Sequence, residues 1–224
     1  MLKTQKSLSN KEEKKGLYII AVGASAGGLE AISEFLLNFP EDLDNYCIII
    51  AQHLSPIYKS RLVEILSRQT KLQVLEAKAG MSLQSKTIYI TPPDSEISLT
   101  YPENIQITKP GNYAGPKPSV DILLHSLSLI KNQRAIAVIL SGTGSDGSKG
   151  VIEISNAGGI VLIQKPGSAR YTGMPEKAIE TGKITKILPA AEMGLFIQKY
   201  IEKGGVSNRL PFNDFYPGIN QVIS

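Results

Sequence analysis

The chain has 224 residues, with 24 Lys plus Arg against 20 Asp plus Glu, 42% apolar residues, and 20 Gly and 13 Pro spread along it. This balance excludes a disordered or collagen-like chain, and the length suits one α/β domain with a sizeable core better than two small ones. Most of the net charge of +4 sits in the first 15 residues, where Lys3, Lys6, Lys11, Lys14 and Lys15 outnumber Glu12 and Glu13, so no basic stripe of the kind nucleic acid requires runs along the body.

Leu17 to Val22 is a short continuous apolar run closed by Gly23, which predicts a strand buried on both faces. Leu29, Ile32, Leu36 and Phe39 then recur at helical spacing until Pro40 ends the element. The order repeats, with Tyr46 to Ala51 as a buried strand, Gln52 to Pro56 as its exit loop and Tyr58 to Arg68 as an amphipathic helix. Two consecutive βα units predict a parallel sheet with right-handed crossovers.

The middle changes character: Leu72 to Ala77, Thr87 to Ile90, Ile97 to Thr100 and Ile105 to Thr108 are short alternating runs between turn residues, read as strands with a hairpin-like insertion. A helix is predicted over Ser119 to Ile130, with Ser119 as N-cap and Asp121 in the first turn. Ala135 to Leu140 is the next buried strand, followed by a helix over Ser148 to Asn156 and a strand over Gly159 to Gln164. Pro175 to Thr181 (helix), Ile184 to Leu188 (strand) and Ala191 to Lys203 (helix) complete a doubly wound, mainly parallel α/β sheet with an antiparallel β-hairpin insertion. The domain is expected over 16–203, between a basic N-terminal tail at 1–15 and a C-terminal tail at 204–224.

Cys47 is the single cysteine and lies inside an apolar strand, so neither a disulfide framework nor a cysteine metal site is available. The first 15 residues hold no apolar segment of signal-peptide type, and no stretch approaches the roughly 18 apolar residues of a membrane span. A cytoplasmic protein without membrane insertion is expected.

In an open parallel sheet ligands bind beyond the carboxyl ends of the strands, so the loops leaving strands are where chemistry is sought. Gly23-Ala24-Ser25-Ala26-Gly27-Gly28 matches G-x-S-x-G between a strand and a helix, where Ser25 can stand above the sheet with backbone N–H groups nearby. Taken alone, the same turn serves equally to pack a helix or to cradle a phosphate. Gln52-His53-Leu54-Ser55-Pro56 puts His53 at the end of the second strand, as a base for a neighbouring serine or as a histidine satisfied by carbonyls. His125, inside a helix, reads as a surface or interhelix residue.

Ser141-Gly142-Thr143-Gly144-Ser145-Asp146-Gly147 offers Asp146 as a helix cap, part of a phosphate cradle or a metal-bound carboxylate. It can equally orient His53, with N–H groups near Thr143 contributing to an oxyanion hole. The three loops emerge on one edge of the predicted sheet, which favours a Ser-His-Asp hydrolase. The chain order of serine, histidine and aspartate is not that of the α/β-hydrolases. A dinucleotide site fits poorly, because G-x-G-x-x-G is absent and Gln52 and His53 stand where the acidic residue belongs.

The sequence resembles the catalytic domain of CheB-type chemotaxis methylesterases. The resemblance rests on Val22 to Ala31, Gln52 to Pro56, Pro118-Ser119-Val120-Asp121, Leu140 to Gly147, and Gly173-Met174-Pro175 with Ala178-Ile179, across residues 17 to about 200. Its wording is most similar to methylesterase domains fused to CheR-type methyltransferases. The resemblance implies a Rossmann-like fold and hydrolysis of glutamyl methyl esters on chemoreceptors, with glutamine deamidation a related activity, and no metal or organic cofactor.

It further implies Ser25 as nucleophile, His53 as base, Asp146 as orienting carboxylate, and an oxyanion and substrate loop comprising Ala26, Thr143 and Met174. The implied partners are the cytoplasmic helices of methylated chemoreceptors or a receptor-like protein, with a CheR-type methyltransferase as a further candidate. Fifteen mostly polar residues ahead of the first strand do not make a receiver domain, so phosphorylation control in cis is not expected. The competing expectation is a signalling or docking module that keeps the fold without turnover.

Overall fold

The computed structural model describes residues 16–53, 61–111 and 115–205. The expected tail at 1–15 and all but the first two residues of that at 204–224 lie outside them.

Seven strands form one parallel sheet: β1 (Tyr18–Ala24), β2 (Tyr46–Gln52), β3 (Gln73–Glu76), β4 (Thr87–Ile90), β7 (Ala135–Ile139), β8 (Ile160–Gln164) and β9 (Lys186–Leu188), in the order β3-β4-β2-β1-β7-β8-β9. The two remaining strands, β5 (Glu96–Thr100) and β6 (Asn104–Thr108), pair antiparallel as the predicted hairpin. The runs at 72–77 and 87–90 are therefore not part of the insertion. They enter the parallel sheet as β3 and β4, because β4 pairs with β2 over Ile48 to Ile50 and β3 pairs with β4.

The helices are α1 (Gly28–Leu37), α2 (Leu62–Ser67), α3 (Val120–Lys131), α4 (Ser148–Asn156), α5 (Gly173–Glu180) and α6 (Ala190–Glu202). Alternation along the strands sorts them into two layers. Ile20, Val22, Ile48 and Ile50 pack with α1, α2 and α6, while Ile19, Ala21, Cys47 and Ile49 pack with α3, α4, α5 and the hairpin. Of the helix expected over Tyr58 to Arg68, α2 occupies Leu62–Ser67 after its N-cap Arg61, and 58–60 lie outside the described residues. α5 opens two residues before Pro175, which takes a first-turn position where its missing N–H costs nothing. β1 runs on to Ala24, because its ladder with β2 persists to the pair Ala24 and Gln52.

Cys47 is fully buried and its thiol is pushed well above the usual range by desolvation, so it acts as a small core hydrophobe. His125 is exposed on α3, with Nδ1 2.8 Å from Glu153 of α4, as a surface interhelix residue.

Connections from β1 and β7 run to opposite sides of the sheet, so the cleft between their carboxyl ends is the topological switch point. Ile49, fully buried at the centre of β2, makes the packing testable: Ile49→Ala is expected to cost about 3 kcal/mol in urea unfolding, against less than about 0.5 for Leu129→Ala, which is 70% exposed.

Candidate active site

Ser25 and His53 are the first residues past the ends of two adjacent parallel strands. The His53 N–H donates to the Ala24 carbonyl at 2.9 Å, which carries the β1–β2 ladder one step beyond its last pair and sets the two residues side by side. Both continue the odd-numbered register whose side chains face the α3 layer.

That layer supplies the third group. A Cβ at Gly23 would lie 2.4 Å from Val120, so only glycine allows the first turn of α3 to settle this close over β1. Asp146 reaches this turn from the loop after β7. Its Oδ2 accepts from Val120 N at 2.7 Å and from His53 Nε2 at 2.8 Å, and its Oδ1 from Asp121 N at 3.0 Å, Ser119 Oγ at 3.1 Å and Gly147 N at 3.0 Å. Ser119 is the predicted N-cap, its hydroxyl also accepting from Ile122 N.

Burial alone would raise the Asp146 carboxyl, but hydrogen bonds from His53, Val120 and Asp121 outweigh it and hold the group below the usual carboxylate range. The positive end of the α3 dipole acts in the same direction. An ionised carboxylate accepts only, so His53 Nε2 carries the proton and Nδ1 is left as the basic nitrogen. The two side chains are nearly buried, at 8% and 7% exposure, whereas Ser25 is partly exposed. Among the described residues Ser25 Oγ makes no hydrogen bond.

The loops after β1 and β7 are sewn together. Ser25 N donates to Ser141 O at 3.0 Å, Ser141 Oγ donates to Ala26 O at 2.9 Å and accepts from Tyr171 N at 3.0 Å, and Ser141 N donates to Gln164 Oε1 at 2.8 Å. Gly27 caps α1 with φ +67, and a Cβ there would lie 2.8 Å from Ser141 Oγ, so the position is doubly closed to other residues. Ser141 and Gln164, both 1% exposed, were not singled out in the sequence. The available signal was a polar residue ending an otherwise apolar strand run.

Ala26 and Thr143 flank this junction, and their N–H groups make no hydrogen bond among the described residues, which leaves both open to an oxyanion. Met174 lies against the glycine turn next to Ser25. It is 1% exposed, its N–H is committed to Gly142 O at 2.9 Å, and a Cβ on Gly142 would meet both its Sδ and the Ser25 Cβ. Met174 thus backs the glycine turn from inside. Leu54 to Ser60, which includes the rest of the His53 loop, lies outside the described residues. Among those described, no group of three or more His, Cys, Asp or Glu is placed to hold a metal ion, and no helix is long and apolar enough to cross a membrane.

A partly exposed serine, a histidine one strand away and a clamped, ionised aspartate gather at the switch point of the sheet, in the doubly wound class of α/β domain. Within that class the chain belongs to the CheB methylesterase family, whose family model matches residues 20–197. It is similar to protein-glutamate methylesterase/protein-glutamine glutaminase 2 of Pseudomonas aeruginosa, 31% identical over 195 residues that span 86% of this chain and 55% of that one. A protein-glutamate methylesterase/protein-glutamine glutaminase 3 of Paramagnetospirillum magneticum is 36% identical over 78% of this chain and 49% of its own length. The crystal structure of the Thermotoga maritima CheB methylesterase catalytic domain superposes with TM-score 0.76 at 28% identity, covering 82% of this chain and 98% of that one. The chain thus spans about half the length of the curated relatives it matches, and nearly all of the solved catalytic domain.

The Asp146 clamp has a pH signature. Its folded carboxyl is held below the unfolded value of about 3.9, so its stabilisation is fully present above that value and is lost as pH falls through the folded one. Asp121 has the opposite sign: burial raises its carboxyl, so its ionisation weakens the fold as pH rises through the unfolded value toward the folded one. In urea titrations the stability gap between wild type and Asp146→Asn is expected to narrow as pH falls from about 5 to about 3. A gap that stays constant would mean that Asp146 is not held ionised.

Proposed function

We propose that this chain is a protein-glutamate methylesterase domain that hydrolyses γ-methyl esters of glutamate on the cytoplasmic helices of chemoreceptors or a receptor-like protein. The observation that carries the reading is the bond between His53 Nε2 and the clamped Asp146 carboxylate, which leaves Nδ1 free beside the strand that presents Ser25.

In this reading Ser25 Oγ gives its proton to His53 Nδ1 and attacks the ester carbonyl. The oxyanion is received by the N–H groups of Ala26 and Thr143, and Asp146 stabilises the imidazolium without itself taking the proton. Methanol leaves with the proton from His53. Water, deprotonated by the same nitrogen, then splits the acyl-enzyme and restores Ser25. The two hydrogen-bond donors act where negative charge grows, so they favour the transition state over the bound ester. The acyl intermediate is also reachable from glutamine with ammonia as leaving group, in keeping with the second activity in the names of the relatives.

Methanol release from methylated receptor membranes tests this. Ser25→Ala is expected to lower the rate by several orders of magnitude, and wild-type Ser25 to be labelled by a serine-directed phosphonate that leaves the variant unmodified. A wild-type chain that neither releases methanol nor takes up the phosphonate would overturn the reading in favour of a module that docks without turnover.

A further inference from the structure

Glu96 opens β5 and is 4% exposed, a buried carboxylate that the proposed chemistry does not use. Burying a charge without partners is costly, so its contacts should show what it is for. Its Oε2 accepts from the backbone N–H of Ser119 at 2.6 Å, a short charge-assisted hydrogen bond. Ser119 is the N-cap of α3, and its Oγ together with the N–H groups of Val120 and Asp121 supplies three of the five hydrogen bonds that hold Asp146. Glu96 thus grips, from the hairpin side, the short piece of backbone whose other side grips the carboxylate.

The rest of the hairpin has the geometry of a splint on the same helix. Leu99 N donates to Ser126 Oγ at 3.0 Å in the middle of α3, and Glu103, in the turn between β5 and β6, pairs with the buried Lys131 in its last turn. Ile97, Leu99 and Ile105 pack into the core shared with Val120, Leu123 and Leu127. The two ends carry charges that suit the helix dipole, an acid at the N-terminus and a base at the C-terminus. Of these attachments, the one at Glu96 falls on Ser119, itself a donor to Asp146 and the neighbour of the next.

We propose that Glu96 is a positioning residue for the His53–Asp146 pair, acting through the backbone amide of Ser119 and not by touching substrate. The inference rests on the esterase reading for its kinetic consequence but not for its structural one. If the amide is released, the first turn of α3 can drift, and Asp146 drifts with it. A displacement of this kind affects the assembly of the transition state more than the binding of substrate.

Three variants of the full chain separate reach from charge. Glu96→Gln keeps an acceptor oxygen at the same reach and loses the charge, Glu96→Asp keeps the charge and withdraws it by one methylene, and Glu96→Ala removes both. Two readouts apply: the downfield proton resonance of His53 Nε2–H in its bond to Asp146, and the rate of Ser25 labelling by the phosphonate, joined by kcat and KM for methanol release. Glu96→Gln is expected to keep the resonance and to label at close to the wild-type rate. Glu96→Asp and Glu96→Ala are expected to broaden or lose the resonance and to slow labelling and kcat by about tenfold or more, with KM changed less than about twofold.

The proposal is overturned if Glu96→Asp keeps both the resonance and the labelling rate, or if Glu96→Gln behaves like Glu96→Ala. It is equally overturned if the wild type lacks the resonance. If Glu96→Ala does not fold, the Glu96→Asp and Glu96→Gln pair still decides. A wild type with the resonance but without labelling or turnover would count against the esterase reading alone, and the resonance in the variants would decide the role of Glu96.

Discussion

A carboxylate that is to orient a histidine must stay ionised, and one that is nearly out of water resists ionisation. Asp146 meets both demands by sitting on the N-terminus of α3, where Val120 and Asp121 would otherwise present unpaired N–H groups. The helix thus needs an anion at the place where the site needs an acceptor-only group, and one interaction answers both. Much of the local architecture follows from it. The turn of α3 must lie over β1, which requires glycine at position 23. Asp146 must arrive from the far side of β1, which requires β7 next to it in the sheet.

The site is the place where the apolar pattern of the sheet stops. Ile48 to Ala51 and Ile136 to Leu140 are fully buried and carry no polar side chain, whereas Gln52, Ser141 and Gln164 are buried polar residues at or just past the ends of β2, β7 and β8. Their hydrogen bonds run between loops: Gln52 reaches Ser25 O, Gln164 holds Ser141, and Ser141 holds both Ala26 and Tyr171. A buried polar group without partners would cost about 1–3 kcal/mol, so Ser141 and Gln164 tolerate burial only in the arrangement that satisfies them. That dependence is what turns the loops after β1, β7 and β8 into a fixed frame around Ser25. Rigid strands below and specific hydrogen bonds above keep the serine partly exposed without leaving its backbone free to wander.

The parallel sheet was legible because its strands are buried on both faces and read as continuous apolar runs, each followed by helical spacing. Ser25, His53 and Asp146 were legible because each follows such a run in a loop of turn residues. The assignment of β3 and β4 was less so: with four residues each, periodicity does not distinguish a strand of the main sheet from a strand of the insertion, and the pairing of β4 with β2 and of β3 with β4 decides it. Ser119 showed itself as a helix cap, but its second bond, to a residue 27 positions away, leaves no trace in local sequence.

The imidazole is used end for end relative to the chymotrypsin arrangement, in which the aspartate takes Nδ1 and the serine Nε2. Here the carboxylate takes Nε2, the far end of the ring. The topology explains why. His53 and Ser25 leave neighbouring strands held by the bond from His53 N to Ala24 O, and the nitrogen nearer the backbone is the one that Asp146 does not take. Asp146 arrives from across β1 by way of α3, and only the outer nitrogen extends that far. The His53–Asp146 pair therefore joins one of two adjacent parallel strands to a partner two strands away, and its geometry depends on whatever holds α3 in place. The hairpin of β5 and β6, outside the sheet and remote in sequence from Ser25 and His53, joins the candidate site by that route.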